Sequence, residues 1–224
     1  MSRSALVALL CAVVFVATMA APARSTPPRA VTDDFAALDL TRWTPGDHAL
    51  GRGTLAPENV TVANSTLALG LPAGTTDGAE VRSTATYRSG TFEARIRAAR
   101  APSSLTGFFL YAPPDYASEI DIEILDDPTG TVLLTTYAGG RETHHESRAL
   151  GFDPTAAAHD YRIDWSTGTV AFAVDGRVLR NWKGGIPTAP MNVYLNAWFP
   201  RWLDGVPAPA GAATLVEGVT VPVR

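Results

Sequence analysis

The chain has 224 residues, 46% of them hydrophobic, and its 18 Lys+Arg against 22 Asp+Glu leave a formal charge of −4. That mild acidity excludes the electrostatic footprint of a nucleic-acid or anionic-lipid binder. A single cysteine, Cys11, excludes a disulfide framework, and the length suits one domain whose core holds without cross-links.

In chain order, residues 1–23 have the organisation of a secretory signal peptide. A basic start (Arg3) leads into an apolar run from Ala5 to Val16, and small residues follow at Ala20, Ala21 and Ala23. The apolar run is too short for a stable membrane anchor. Cleavage is expected between residues 20 and 23 and takes Cys11 with it. The mature protein is therefore expected outside the cell, without membrane association. Residues 24–30, containing Pro27-Pro28, read as a short disordered lead-in, and 31–224 as one domain with no repeat or appended module.

The body reads as all-β. Thr66–Leu71 alternates weakly before Pro72, and Glu80 and Arg82 share one face of a further strand. Phe92, Ala94 and Ile96 form the apolar face of Thr91–Arg97. Gly107–Tyr111, Ser118–Leu125 and Val132–Tyr137 follow as short runs bounded by Pro or Gly. Tyr161, Ile163 and Trp165 alternate with polar neighbours. Val170–Val174 then runs into Asp175-Gly176, a hairpin turn, and Arg177–Arg180. Met191–Trp198 and Val216–Val223 complete the set. Many short strands without a convincing helix predict a β-jelly-roll sandwich of two antiparallel sheets with a concave cleft.

Ser118–Leu125 is chemically the most informative of these strands. Alternate residues of a strand point to one face, so Glu119, Asp121 and Glu123 line one side while Ile120, Ile122 and Ile124 pack behind. The Cα atoms of Glu119 and Glu123 are then about 13 Å apart. Inward-leaning side chains bring the carboxyls to the roughly 5–5.5 Å of a retaining glycosidase. A half-exposed acidic strand or a Ca²⁺ site would use the same residues. Like charges on one face repel without an interleaved cation, however, and no EF-hand glycine loop surrounds them.

Longer motifs bring a family into view. Gly78-Ala79-Glu80-Val81-Arg82-Ser83, Gly90-Thr91-Phe92-Glu93-Ala94-Arg95, Phe108-Phe109-Leu110-Tyr111, Glu119-Ile120-Asp121-Ile122-Glu123, Phe152-Asp153-Pro154, His159-Asp160-Tyr161, Val174-Asp175-Gly176 and Pro190–Trp198 occur in this order. Together they resemble glycoside hydrolase family 16, in its bacterial β-glucanase (lichenase-like) branch. The resemblance implies a secreted retaining endo-glycosidase acting on β-1,3-1,4- or related β-glucans. It makes Glu119 the nucleophile, Asp121 its helper and Glu123 the general acid/base. It further implies substrate contacts from Glu80, Arg82, Phe109, Tyr111, Tyr137, Asn196, Trp198 and Trp202. Trp43 and Trp165 read as core. The expected partner is a polysaccharide, with no nucleic acid, and the chain is expected to be monomeric. No cofactor or metal ligand set is expected, and nothing in the sequence indicates a structural Ca²⁺.

His144-His145 reads as a loop rim near the cleft and His159 as structural. Against the lichenase pattern, Ala117 replaces a Trp before the nucleophile, Leu133 and Thr135 replace Gln and Asn, and the disulfide is absent. These departures point to altered specificity. A transglycosylase of the same fold, with xyloglucan among its substrates, and a non-catalytic sugar-binding jelly roll are the alternatives.

Overall fold

The computed structural model describes residues 30–127, 129–207 and 210–223. The expected signal peptide lies outside the described residues, as does the lead-in except for Ala30, which opens the first strand. In chain order the strands are β1 (Ala30–Asp33), β2 (Trp43–Pro45), β3 (His48–Leu50), β4 (Gly53–Leu55), β5 (Val60–Ala63) and β6 (Thr66–Leu71). There follow β7 (Ala79–Tyr87), β8 (Gly90–Arg97), β9 (Leu105–Ala112), β10 (Ser118–Leu125), β11 (Thr131–Ala138) and β12 (Glu142–Ala149). The last are β13 (His159–Ser166), β14 (Thr169–Val174), β15 (Arg177–Lys183), β16 (Met191–Trp198) and β17 (Ala212–Pro222).

These strands form the two antiparallel sheets of a jelly-roll sandwich. One is seven-stranded, in the order β12-β11-β10-β9-β16-β7-β2; the other is eight-stranded, β15-β14-β13-β8-β17-β6-β5, with β1 added against β17. The hairpin β3–β4 stands apart. Period-two alternation builds the core between the layers. Ile120, Ile122 and Ile124 of β10, Phe108 and Leu110 of β9, and Val193 and Leu195 of β16 are buried there. Phe92, Ala94 and Ile96 of β8 and Phe172 of β14 meet them from the opposite sheet. Trp43 and Trp165 are core residues, as expected from sequence. Their indoles donate to Asp33 Oδ2 (2.8 Å) and the Pro187 carbonyl (3.0 Å), so each satisfies its polar edge while buried.

The His144-His145 expectation needs correction. The pair sits within β12, an edge strand. Its sequence, ETHHESRA, lacks apolar alternation, so it carried no strand signal. The two rings go to opposite faces, as strand geometry requires. His145 lies opposite Thr135 and its Nδ1 is 3.1 Å from Thr135 Oγ1. His144 stacks on Trp182 of the other sheet at 4.8 Å.

Candidate active site

Strand register sets the site out in rows across the seven-stranded sheet, because directly paired residues share a face. Glu119 has Tyr137 on one side and Tyr111 on the other. Asp121 lies between Thr135 and Phe109, and the row continues through Tyr194, Arg82 and Thr44. Glu123 lies between Leu133 and Gly107, followed by Asn196 and Glu80. The faces alternate, so the isoleucines that fill the core also aim the three acids outward.

Glu119, Asp121 and Glu123 lie in the floor of a cavity of about 720 Å³. Glu80, Arg82, Phe109, Tyr111, Tyr137, Asn196 and Trp198 also line it, which brings together all but one of the substrate contacts implied by the resemblance. Trp202 is the exception. It follows β16 in a turn, is 54% exposed and does not line the cavity. The resemblance placed it at the cleft by motif order, which carries no information about where the chain turns after β16.

Each wall is held by specific contacts. Asn196 Nδ2 donates to Glu80 Oε2 at 3.2 Å, while Asn196 Oδ1 is buried without a hydrogen-bond partner. An unpaired buried acceptor costs about 1–3 kcal/mol. Phe109 and Tyr194 stack at 4.9 Å, Tyr111 meets Tyr194 edge-on at 5.7 Å, and Tyr194 also hydrogen-bonds Arg82. Tyr194 escaped attention in the sequence. Its two-residue spacing from Asn196 and Trp198 places it on their face, and that signal was available.

The segment Thr44–Leu50 supplies the far wall, and sequence reasoning missed it. Gly46 is its close contact: a β-carbon there would lie 3.0 Å from Glu80 Cβ. Gly51, with φ of +58°, would place a β-carbon 2.6 Å from the Trp198 ring. Only glycine combines that backbone with that approach, and the result is a fixed Trp198.

Burial dominates the electrostatics of the three acids. Burial pushes Asp121, only 5% exposed, well above the usual carboxylate range, and the neighbouring Glu119 and Glu123 charges push it further. Glu119 is raised to about 7, by burial first and by the Glu123 charge second, while a hydrogen bond from Asp121 acts in the opposite direction. Glu123 is also raised to about 7, by burial alone. Asp121 thus retains its proton and donates it in a hydrogen bond to Glu119, which favours the ionised form of Glu119. Glu123 has no such support for its charge. Both glutamates are therefore poised near neutral pH, and the hydrogen bond that favours the ionised form reaches Glu119. Among the described residues, no group of three or more His, Cys, Asp or Glu is arranged to hold a metal ion.

Comparison with known proteins places the chain in a family. The chain is 35% identical over 131 residues to a beta-glucanase of Bacillus amyloliquefaciens, a match covering 57% of this chain and 55% of that protein. It is 30% identical over 199 residues to a beta-glucanase of Acetivibrio thermocellus, covering 83% and 58% respectively. The chain thus spans a little over half the length of these curated relatives. The fold is similar to the beta-glucanase of Bacillus licheniformis, with a TM-score of 0.79, 24% identity, and coverage of 90% of this chain and 100% of that one. It is also similar to the kappa-carrageenase of Pseudoalteromonas carrageenovora, with a TM-score of 0.73, 20% identity, and coverage of 91% and 98%. Residues 52–204 match the pattern of Glycosyl hydrolases family 16, and the chain belongs to that family.

Proposed function

We propose that this protein is a secreted, retaining endo-β-glucanase that cuts glucan chains by double displacement. The observation that carries the proposal is geometric: Glu119, Asp121 and Glu123 share one face of β10 in the floor of the cavity, with Asp121 between the two glutamates. In the first step the Glu119 carboxylate attacks the anomeric carbon, and Glu123 gives its proton to the departing glycosidic oxygen. In the second, the Glu123 carboxylate takes a proton from water. As it does so the water oxygen attacks the anomeric carbon, and the bond from that carbon to Glu119 breaks, freeing the carboxylate. Asp121 holds the Glu119 charge in place before attack and after release. Glu80, Asn196, Tyr194 and Trp198 position the sugar chain, the amides and acids through hydroxyls and the rings through apolar C–H faces.

The basic-then-apolar leader of residues 1–23 supports export. The β-glucanase relatives support the substrate class, and cleavage within chains fits a cleft built across the sheet. The test is product analysis on barley mixed-linkage glucan, laminarin and xyloglucan, with and without added acceptor oligosaccharides. Hydrolytic release of short oligosaccharides from a β-glucan is expected. Acceptor-extended products as the main outcome would make the enzyme a transglycosylase, and no bond cleavage on any of the three would refute the proposal.

A further inference from the structure

Two residues of the turn between β9 and β10 stand apart from the machinery described above. Tyr116 has φ of +65°, a backbone conformation unusual for a bulky residue. The turn is tied down on both sides of it. Gly140 N–H donates to the Tyr116 carbonyl, Gly139 N–H to the Ala117 carbonyl and Ala117 N–H to the Pro114 carbonyl, each at 3.0 Å. The product of this arrangement is a tyrosine that lines the cavity, is 55% exposed and leans on Tyr137 at 5.2 Å. Strained residues persist where the surroundings over-determine them, and they cluster at ligand clamps. A half-exposed ring contributes little to folding. It gains most when a ligand covers it.

Asp115, the preceding residue, also lines the cavity, and its Oδ1 accepts a hydrogen bond from Tyr111 Oη at 2.7 Å. Tyr111 and Tyr137 are the two cross-strand neighbours of Glu119. Each therefore braces one residue of the turn against the row that holds Glu119.

We propose that Asp115 and Tyr116 form the recognition wall beside Glu119 and select an uncharged sugar unit next to the bond being cut; this rests on the glycosidase reading above. The Tyr116 ring covers the apolar face of a pyranose. Asp115 Oδ2 accepts from sugar hydroxyls, while Tyr111 fixes Oδ1. Charge makes the wall selective. Among the described lining residues the exposed acids Asp47 and Asp115 stand beside Glu119, against Arg82 and His48, while burial holds Glu80, Asp121 and Glu123 towards their neutral forms. A sulfated or carboxylated unit is repelled there, and a neutral one is not.

The test uses Tyr116→Gly, which accepts the left-handed backbone, Tyr116→Phe, which keeps the ring, and Asp115→Asn. Turnover is measured on a neutral β-glucan and on its carboxymethylated form, and calorimetry measures binding of neutral β-gluco-oligosaccharides. Tyr116→Gly is expected to lose about 10-fold in both kcat/KM and affinity without a fall in Tm, and Tyr116→Phe to stay within about 2-fold. Asp115→Asn is expected to narrow the preference for the neutral polymer by about 10-fold. Unchanged binding in Tyr116→Gly, or unchanged charge preference in Asp115→Asn, would overturn the proposal. If the wild-type protein binds the oligosaccharides without cleaving any glucan, and Tyr116→Gly fails to bind, the wall stands and the glycosidase reading falls. Absence of wild-type binding overturns the wall.

Discussion

Asn196 lies directly over Gly107: a β-carbon at Gly107 would stand 2.4 Å from Asn196 Oδ1. Gly107 also faces Glu123 across the β9–β10 pair, so one missing methyl separates the acid from the amide. Gly107→Ala is expected to push Asn196 aside and disturb its hydrogen bond to Glu80. Overpacking of this kind costs about 1–3 kcal/mol. The denaturation midpoint should fall accordingly, and kcat/KM should drop about 10-fold or more, because a misplaced contact weakens transition-state binding. A variant with normal stability and turnover would remove Asn196 from the site.

Glu119→Gln and Glu123→Gln should each nearly abolish turnover of a β-glucan while the protein stays folded. The amides keep the shape but neither form the ester nor donate the proton. The two variants should differ on an aryl β-glycoside with a good leaving group, which departs without protonation. Glu123→Gln should regain the burst of aryl release on that substrate, and Glu119→Gln should not. Equal recovery in both would undo the division of roles.

The acids make stability depend on pH in a defined direction. Burial raises Glu123 to about 7 from an unfolded value of roughly 4.3. The folded state therefore binds the proton more tightly. Its stabilising contribution is fully present below about pH 4.3 and is lost as pH rises through about 7. For Glu123 this is of order 3 kcal/mol. Urea denaturation at several pH values should show wild-type stability falling over that window relative to Glu123→Gln. A constant difference between the two proteins would contradict the burial argument. Activity should follow a bell near neutral pH, rising as Glu119 ionises and falling as Glu123 does.

The two tryptophans at the end of β16 should separate. Trp198 lines the cavity and is packed against Gly51, whereas Trp202 is exposed outside it. Trp198→Ala should weaken turnover of long glucans most, and Trp202→Ala should stay near wild type on the same polymers. Comparing kcat/KM on polymer and on short oligosaccharides checks this. A larger loss from Trp202→Ala would place sugar binding elsewhere.

How far the sequence reveals this arrangement depends on whether the information is local. Thr66–Leu71, Ser118–Leu125 and Met191–Trp198 have the bounds expected from sequence: the first two bury mainly alternate residues, whereas Met191–Trp198 is largely buried on both faces and stands out by its length. The short strands β1 to β5 were not identified: three or four residues hold too little alternation to register. The edge strand β12 has no apolar residue before Ala149, and its histidine pair read as a loop. The three acids were legible because one strand carries them all. The wall at Thr44–Leu50 was not, since its place beside Glu80 depends on pairing between β2 and β7, far from β10 in the chain. Tyr116 was visible as an aromatic near the acids, but its left-handed backbone and its ties to Gly139 and Gly140 arise only in three dimensions.

The central claim is that Glu119 and Glu123 act from opposite sides of one glycosidic bond, close enough to exclude a water during the first attack. Proton NMR of the first-formed product, taken before mutarotation, tests it most directly. The account predicts that cleavage of a β-glucan first yields the β-anomer. Initial appearance of the α-anomer would contradict it.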